Sequence, residues 1–71
     1  MNVGDRVIVT NILGREERHT FNGVVCGMSV YLGEQGIITE IRNNEPPFDC
    51  LVEFESGDRI AFKFSELEPI K

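Results

Sequence analysis

The residues of this chain that could do covalent or metal chemistry are two cysteines, Cys26 and Cys50, and a single histidine, His19. A zinc site needs about four ligands with tight local spacing, and these residues are far apart and form no C-x-x-C pair. A catalytic thiol needs a neighbouring base that a third group orients, and no orienting group is evident. We therefore expect both cysteines to be buried apolar side chains, and we expect no catalytic residue, no metal and no cofactor.

Carboxylates are the most abundant polar groups of the chain. Twelve Asp and Glu face seven Lys and Arg, which leaves a formal net charge of −5. Asp49, Glu53 and Glu55 share one side of a strand because side chains alternate with a period of two. This acidic face is either an ordinary solvated surface or a field that engages a basic protein surface or imitates DNA phosphates. Acid–base catalysis by paired carboxylates would need a pocket, and a small barrel is filled by its own side chains.

Aromatic residues supply the remaining candidates for a binding site. Exposed aromatic side chains have the composition of binding hot spots, although Phe21 could instead anchor its segment to the core. Phe48 follows a pair of prolines and could join the same patch. The predicted partner-binding residues are His19, Phe21, Tyr31, Phe48, Asp49, Glu53 and Glu55.

The distribution of cations disfavours nucleic acid and membranes as direct partners. Nucleic-acid binders gain most of their affinity by neutralising phosphates with clustered cations. Here only Arg15 and Arg18 are close in sequence, and two glutamates lie between them. An anionic membrane is disfavoured for the same reason. No apolar run approaches the roughly 18 residues that cross a bilayer, and the first residues do not resemble a signal peptide, so we expect a cytoplasmic location.

Short strands must position these groups. The stretches with the alternation of half-buried strands are residues 5–10, 36–42, 48–55 and 59–64. Ile38 and Ile41 are three apart, so their strand must bend or bulge if both face the core. Residues 43–47 contain two prolines and read as a loop. Residues 64–67 fit one 3₁₀ turn, and a last short strand follows over residues 68–70.

Residues 11–35 form a connection that is long for a domain of 71 residues, and long loops are usually functional or mobile. Residues 15–19 are charged and indicate a solvated loop or one helical turn. Asn22-Gly23 favours a tight turn with positive φ. Residues 24–32 are apolar and rich in β-branched side chains, which is typical of a strand or of one arm of an excursion.

The two ends of the chain resemble the SH3-like barrel superfamily. Residues 4–9 together with residues 33–41 are similar to a KOW-type motif, which occurs in transcription elongation factors and some ribosomal proteins. Val52-x-Phe54-x-x-Gly57 and Glu66-Leu67 resemble the last strands of many SH3-like domains. The chain departs from these relatives in being acidic where RNA-binding KOW domains are basic. It also has one tyrosine and no tryptophan, whereas the SH3 groove for proline-rich peptides is lined by aromatic residues.

The sequence predicts one domain over residues 1–71, an all-β SH3-like barrel of about five short antiparallel strands, with an enlarged first loop and a 3₁₀ turn before the last strand. We expect a non-enzymatic adaptor or regulator that docks on a larger protein or complex with a basic surface, through the long loop and the acidic sheet face. Two alternatives stay open, a KOW-type module of the transcription or translation machinery and an acidic DNA mimic that inhibits a nucleic-acid enzyme. An exposed edge strand can pair with another chain, so we expect a monomer or a weak homodimer.

Overall fold

A computed structural model describes residues 1–13, 18–42 and 47–70, with the backbone alone described for His19 and Phe21. These residues form strands and 3₁₀ turns, and no α-helix occurs within them. The elements in chain order are β1 (Arg6–Val9), β2 (Arg18–Phe21), β3 (Val24–Gly27), a first 3₁₀ turn (Met28–Tyr31), β4 (Gln35–Ile41), β5 (Cys50–Phe54), β6 (Arg59–Phe62), a second 3₁₀ turn (Phe64–Glu66) and β7 (Leu67–Pro69). Neither turn has the length or apolar character of a membrane-spanning helix, and the described ranges contain no such helix. The prediction of an all-β chain is confirmed.

Five strands make one antiparallel sheet in the order β6-β5-β4-β1-β7, and β2 with β3 makes a separate two-stranded sheet. Strand β1 lies between β4 and β7, so that Val7 is opposite Gly36 on one side and Pro69 on the other. Within the described residues the outer strands β6 and β7 do not pair with each other. The sheet is therefore open, and the closed barrel expected from the sequence is not seen in it.

The core covers one face of the five-stranded sheet because apolar side chains alternate along the strands. In β5, Cys50, Val52 and Phe54 are buried, and Leu51 and Glu53 between them are half-buried on the other face. The buried apolar residues are Val7, Val9, Met28, Tyr31, Ile38, Cys50, Val52, Phe54, Ile60, Phe62 and Leu67. The prediction for Cys50 is thus confirmed, whereas Cys26 is only partly buried.

A bulge in β4 allows both of its key isoleucines to face the core. The register between β4 and β5 shifts between Ile38 and Glu40. Ile38 is fully buried, and Ile41 is partly buried and packs against the same core cluster. The irregularity predicted from the three-residue spacing is confirmed, because one extra residue in a strand changes the face to which the next residues point. The loop predicted over residues 43–47 lies, except for Pro47, outside the described residues.

The long first connection contains a β-hairpin. Strands β2 and β3 pair antiparallel with Phe21 opposite Val24. Asn22 and Gly23 between them have φ angles of 54° and 80°, the two positive values that a type I′ turn requires. The tight turn predicted at Asn22-Gly23 is confirmed. The charged stretch predicted as a loop or helical turn lies outside the described residues at 15–17, and β2 begins at Arg18.

The first 3₁₀ turn corrects two predictions. The strand expected over residues 24–32 ends at Gly27, and the chain then turns so that Met28 and Tyr31 are both buried. Residues three apart share a face in a 3₁₀ turn, which explains why both enter the core. Tyr31 is fully buried and therefore does not belong to an exposed aromatic patch. Its ring lies 5.0 Å from that of Phe54 and 6.1 Å from that of Phe62, measured between centroids.

The second 3₁₀ turn holds the one charged side chain that is fully buried in the described residues, that of Glu66. One carboxylate oxygen accepts the N–H of Lys63 at 2.9 Å, and the other accepts the N–H of Leu13 at 3.0 Å. The Glu66 carbonyl also accepts the N–H of Thr10 at 2.9 Å. Buried carboxylates require such partners, and these bonds fix the chain leaving β1 against the turn before β7.

Candidate functional site

The structure contains an open cleft of about 950 Å³. Three stretches line it, namely the hairpin turn at Asn22, residues 33–37 that lead into β4, and residues 53–57 at the turn between β5 and β6. Arg6 of β1 completes the lining. We call this feature the acidic cleft.

The wall of the cleft between β4 and β5 depends on Gly36. A Cβ atom at this position would lie 2.5 Å from Cγ1 of Val52 and 2.7 Å from the carbonyl oxygen of Glu53. These separations are far shorter than van der Waals contact, so only glycine allows β4 to approach β5 this closely. Next to it, Ile37 is opposite Arg6 on one neighbouring strand and Glu53 on the other. Ile37 is 47% exposed and is an apolar side chain of the lining.

Backbone hydrogen bonds fix the segment that carries Glu34. Gly33 precedes it with a φ of 83°, a conformation that side chains other than glycine rarely adopt. The N–H of Glu34 donates to the carbonyl of Tyr31 at 2.9 Å, and the Glu34 carbonyl accepts the N–H of Val9 at 3.0 Å. The backbone of Glu34 is therefore tied to the core at Tyr31 and to β1.

The opposite side of the cleft is a tight turn. Gly57 has a φ of 90° and donates its N–H to the carbonyl of Phe54 at 2.9 Å. The hydroxyl of Ser56 donates to the carboxylate of Asp58 at 3.0 Å. Glu55 is exposed at this turn, so its carboxylate projects from a rigid support.

Some charged side chains of the cleft have an ionic or hydrogen-bonding partner and others have no ionic partner among the described residues. Glu53 forms an ion pair with Nε of Arg59 at 2.9 Å, and Arg6 donates to the side-chain oxygen of Gln35 at 3.4 Å. Glu34 and Glu55 have no ionic partner among the described residues. The lining of the cleft thus carries three carboxylates and one guanidinium beside the exposed Ile37, and an excess of carboxylates attracts cationic groups.

The thiol and phenol side chains of the described residues, which could act as nucleophiles, lie outside the lining of the cleft. The described lining residues include neither His nor Cys, and the described part of the chain holds no cluster of three or more His, Cys, Asp or Glu suited to a metal ion. Burial raises the pKa of the Cys50 thiol to about 11, with the charges of Asp49 and Glu66 adding to the effect. Burial also raises the pKa of Tyr31, with further contributions from Asp58 and Cys26. Neither group lines the cleft.

The residues predicted to bind a partner are separated in the structure. Glu53 and Glu55 line the acidic cleft, whereas Phe48 and Asp49 do not. Asp49 accepts the N–H of Phe64 at 2.8 Å and so orders the start of the second 3₁₀ turn. Phe48 is half-buried, and Tyr31 is in the core. The side chains of His19 and Phe21 lie outside the described residues.

Sequence reasoning missed Glu34, Gln35 and Ile37 as site residues. The signal was present in Gly33-Glu34-Gln35-Gly36, since two glycines so close together indicate a turn and a close backbone approach. The contact of this segment with the β5–β6 turn depends on the pairing of β4 with β5, which spacing along the chain does not reveal.

The comparisons with known proteins bear on the fold. No protein-family model matches the chain, and no curated protein sequence matches it. The NMR structure of the Bacillus subtilis protein YorP is similar to it, with 29% sequence identity and a TM-score of 0.70. The match covers 100% of this chain and 70% of YorP. The chain therefore shares a small all-β fold with YorP.

Proposed function

We propose that this protein is a non-enzymatic interaction module that docks through its acidic cleft on a basic surface of a larger protein or complex. The observation that carries the proposal is the position of Glu34 and Glu55. They stand on two different segments of the lining, which also contains the exposed Ile37, and have no ionic partner among the described residues. Protein interfaces combine apolar contact area with polar and charged groups, and the lining of the cleft offers both.

The long first connection and the acidic sheet face, both predicted from the sequence to bind a partner, contribute residues to the acidic cleft. The hairpin of the long first connection reaches the cleft at Asn22, and the acidic sheet face reaches it at Glu53 and Glu55. The formal net charge of −5 supports a basic partner, because complementary charge speeds encounter and suppresses wrong partners. Ile37 would supply the apolar contact and the carboxylates would set orientation.

We also infer an SH3-like architecture. It is supported by a five-stranded antiparallel sheet, by a long insertion between β1 and β4, and by a 3₁₀ turn between β6 and β7. Two free cysteines fit a reducing compartment, so we place the protein in the cytoplasm.

Affinity capture with matched variants tests the proposal. Tagged wild type, the cleft variant Glu34→Gln/Glu55→Gln and the control variant Glu40→Gln/Glu68→Gln would be incubated with lysate of the native cell, with and without nuclease treatment. Both variants remove two exposed or half-exposed carboxylates, but only the first pair lines the cleft. We expect a stoichiometric protein partner with wild type and control and its loss with the cleft variant. Equal capture by the cleft variant would contradict the proposal, provided that thermal unfolding shows all three proteins folded.

The two alternative functions give different results in the same experiment. A KOW-type module that associates through nucleic acid would lose its partners from the wild-type sample after nuclease treatment. Direct contact with phosphates would also show a steep fall of affinity with salt. A DNA mimic would retain a nuclease or polymerase that added duplex DNA displaces.

A further inference from the structure

We infer that the free edge of β3 is a self-association surface, where the β3 strands of two copies pair antiparallel about a twofold axis. Two hairpins would then join into one continuous sheet. This inference rests on the hairpin alone and is independent of the acidic cleft.

The register of the hairpin determines which peptide groups of β3 are free. Phe21 and Val24 flank the two-residue turn, so they form a hydrogen-bonded pair. Thr20 and Val25 are the next pair, and they are therefore a non-hydrogen-bonded pair whose N–H and C=O groups point away from the partner strand. No described residue pairs with the outer edge of β3. The N–H and C=O of Val25 thus face outward, and no strand of the described ranges lies beside them.

The opposite edge of the hairpin, which belongs to β2, is hydrogen-bonded to a core residue. The hydroxyl of Tyr31 donates to the carbonyl of Thr20 at 3.1 Å. Because the Thr20 carbonyl points away from β3, this bond places the outer edge of β2 toward the core. The hairpin consequently has one edge directed to the body of the protein and one edge open.

The open edge lacks the features that natural proteins use to prevent strand pairing. Edge strands are commonly protected by charged residues, proline or bulges. β7 carries Glu68 and Pro69, and β6 begins with Arg59. β3 consists of Val24, Val25, Cys26 and Gly27 and has none of these protections. Val24 and Val25 are each 62% exposed, more than any other large apolar side chain in the described residues.

A second copy of this chain fits the edge because the strand is complementary to itself. A twofold axis at Val25 would place Val25 opposite its own counterpart and Val24 opposite Cys26. The two outward N–H and C=O groups would exchange hydrogen bonds, and two β-branched side chains would meet across the new pair. No charge would oppose a like charge within this strand pair, although each whole chain carries −5. The interface is isologous, as in most homodimers.

The contact is small, which determines the affinity that we expect. Stable interfaces bury about 800 Å² on each partner, and a strand of four residues covers much less. Repulsion between two chains of net charge −5 also opposes association at low ionic strength. We therefore expect a weak dimer that forms at millimolar protein concentration and that salt strengthens by screening.

Substitutions at Val25 test this surface without removing a hydrogen bond between β2 and β3. Of the hydrogen-bonding groups of β3, Val25→Pro removes only the outward N–H, and proline is tolerated at edge positions of this kind. Val25→Thr keeps the N–H and the β-branched shape and is the matched control. Sedimentation velocity would be measured over a concentration series with reductant present and at low and high salt. We expect wild type and Val25→Thr to dimerise and Val25→Pro to stay monomeric.

The result that overturns the inference is a wild-type chain that is monomeric at every concentration and salt. In that case the edge is left to a strand of a different protein. Association of Val25→Pro equal to that of wild type would also overturn it. NMR cross-strand contacts between β2 and β3 would show whether the hairpin survives the proline. If it does not, Val25→Lys provides the same test, because it keeps the N–H and adds a charge that opposes its own counterpart.

Discussion

The hydroxyl of Tyr31 donates a hydrogen bond of 3.1 Å to the carbonyl oxygen of Thr20. This bond joins the β2–β3 hairpin to the core, since the ring of Tyr31 packs against Phe54 and Phe62. The single tyrosine of the chain therefore positions the hairpin and is not itself a binding surface. The exposed residues of this hairpin include its turn at Asn22-Gly23 and Val24 and Val25 of β3.

Tyr31→Phe is expected to loosen the hairpin while the core stays packed. The variant keeps the ring contacts and leaves the Thr20 carbonyl without its donor, which costs about 1 kcal/mol of the free energy of unfolding. Urea unfolding would measure this loss. In native-state hydrogen exchange, the Val24 amide of the hairpin should exchange faster in the variant than in wild type. The acceleration should be larger than that of the Val52 amide in the five-stranded sheet. Unchanged exchange at Val24 would show that the bond does not hold the hairpin.

Glu66→Gln is expected to destabilise the protein by roughly 1–3 kcal/mol. The carboxylate accepts N–H groups from Lys63 and Leu13 through its two oxygens. A glutamine has one acceptor oxygen, so its NH₂ group would face one of these donors. Glu68→Gln is the control, because Glu68 is exposed on β7. Equal thermal midpoints for the two variants would refute the role assigned to Glu66.

Gly36→Ala is expected to cost about 1–3 kcal/mol of stability, because its methyl group would overlap Val52 and Glu53. Gly27→Ala is the matched control. Gly27 has a φ of −72°, and an added Cβ there meets no atom within 4 Å. That variant should be neutral or slightly stabilising, since alanine restricts the unfolded chain. Denaturant midpoints measured for both variants decide the question, and a tolerated Gly36→Ala would contradict the close approach of β4 to β5.

Stability is expected to fall in alkali through Cys50. Burial raises the pKa of this thiol from 9.0 to about 11. Between these values the unfolded chain releases the thiol proton and the folded chain keeps it, so the free energy of unfolding decreases as pH rises across this window. The buried Tyr31, whose pKa is also raised, acts in the same direction. Unfolding measured against pH should be less steep for Cys50→Ala than for wild type, and identical slopes would exclude this effect of Cys50.

The elements with strong periodicity were predictable from the sequence. Alternation located β1, β4, β5 and β6, and the spacing of Ile38 and Ile41 indicated the bulge in β4. Residues 24–32 misled the same reasoning, because an apolar run does not distinguish a strand from a strand followed by a 3₁₀ turn. The spacing of Met28 and Tyr31, three residues apart, was the signal for the turn.

The candidate site was less predictable than the fold. Alternation identified Glu53 and Glu55, but their grouping with Glu34 and Ile37 results from strand pairing between distant segments. Asp49 has the same parity along the chain, yet its carboxylate bonds the Phe64 N–H. Periodicity shows which face a residue occupies, and tertiary contacts determine whether that residue is free to bind.

The central claim, that the acidic cleft is the partner-binding surface, is tested most directly by NMR chemical-shift mapping. The ¹⁵N-labelled protein would be titrated with the partner identified by affinity capture. Gly33, Gly36 and Gly57 are lining residues of the cleft, whereas Gly4 and Glu68 are not. We predict that the three glycine amides of the cleft shift or broaden while Gly4 and Glu68 stay unchanged. Perturbation confined to Gly4 and Glu68, with the cleft amides unmoved, would contradict the account.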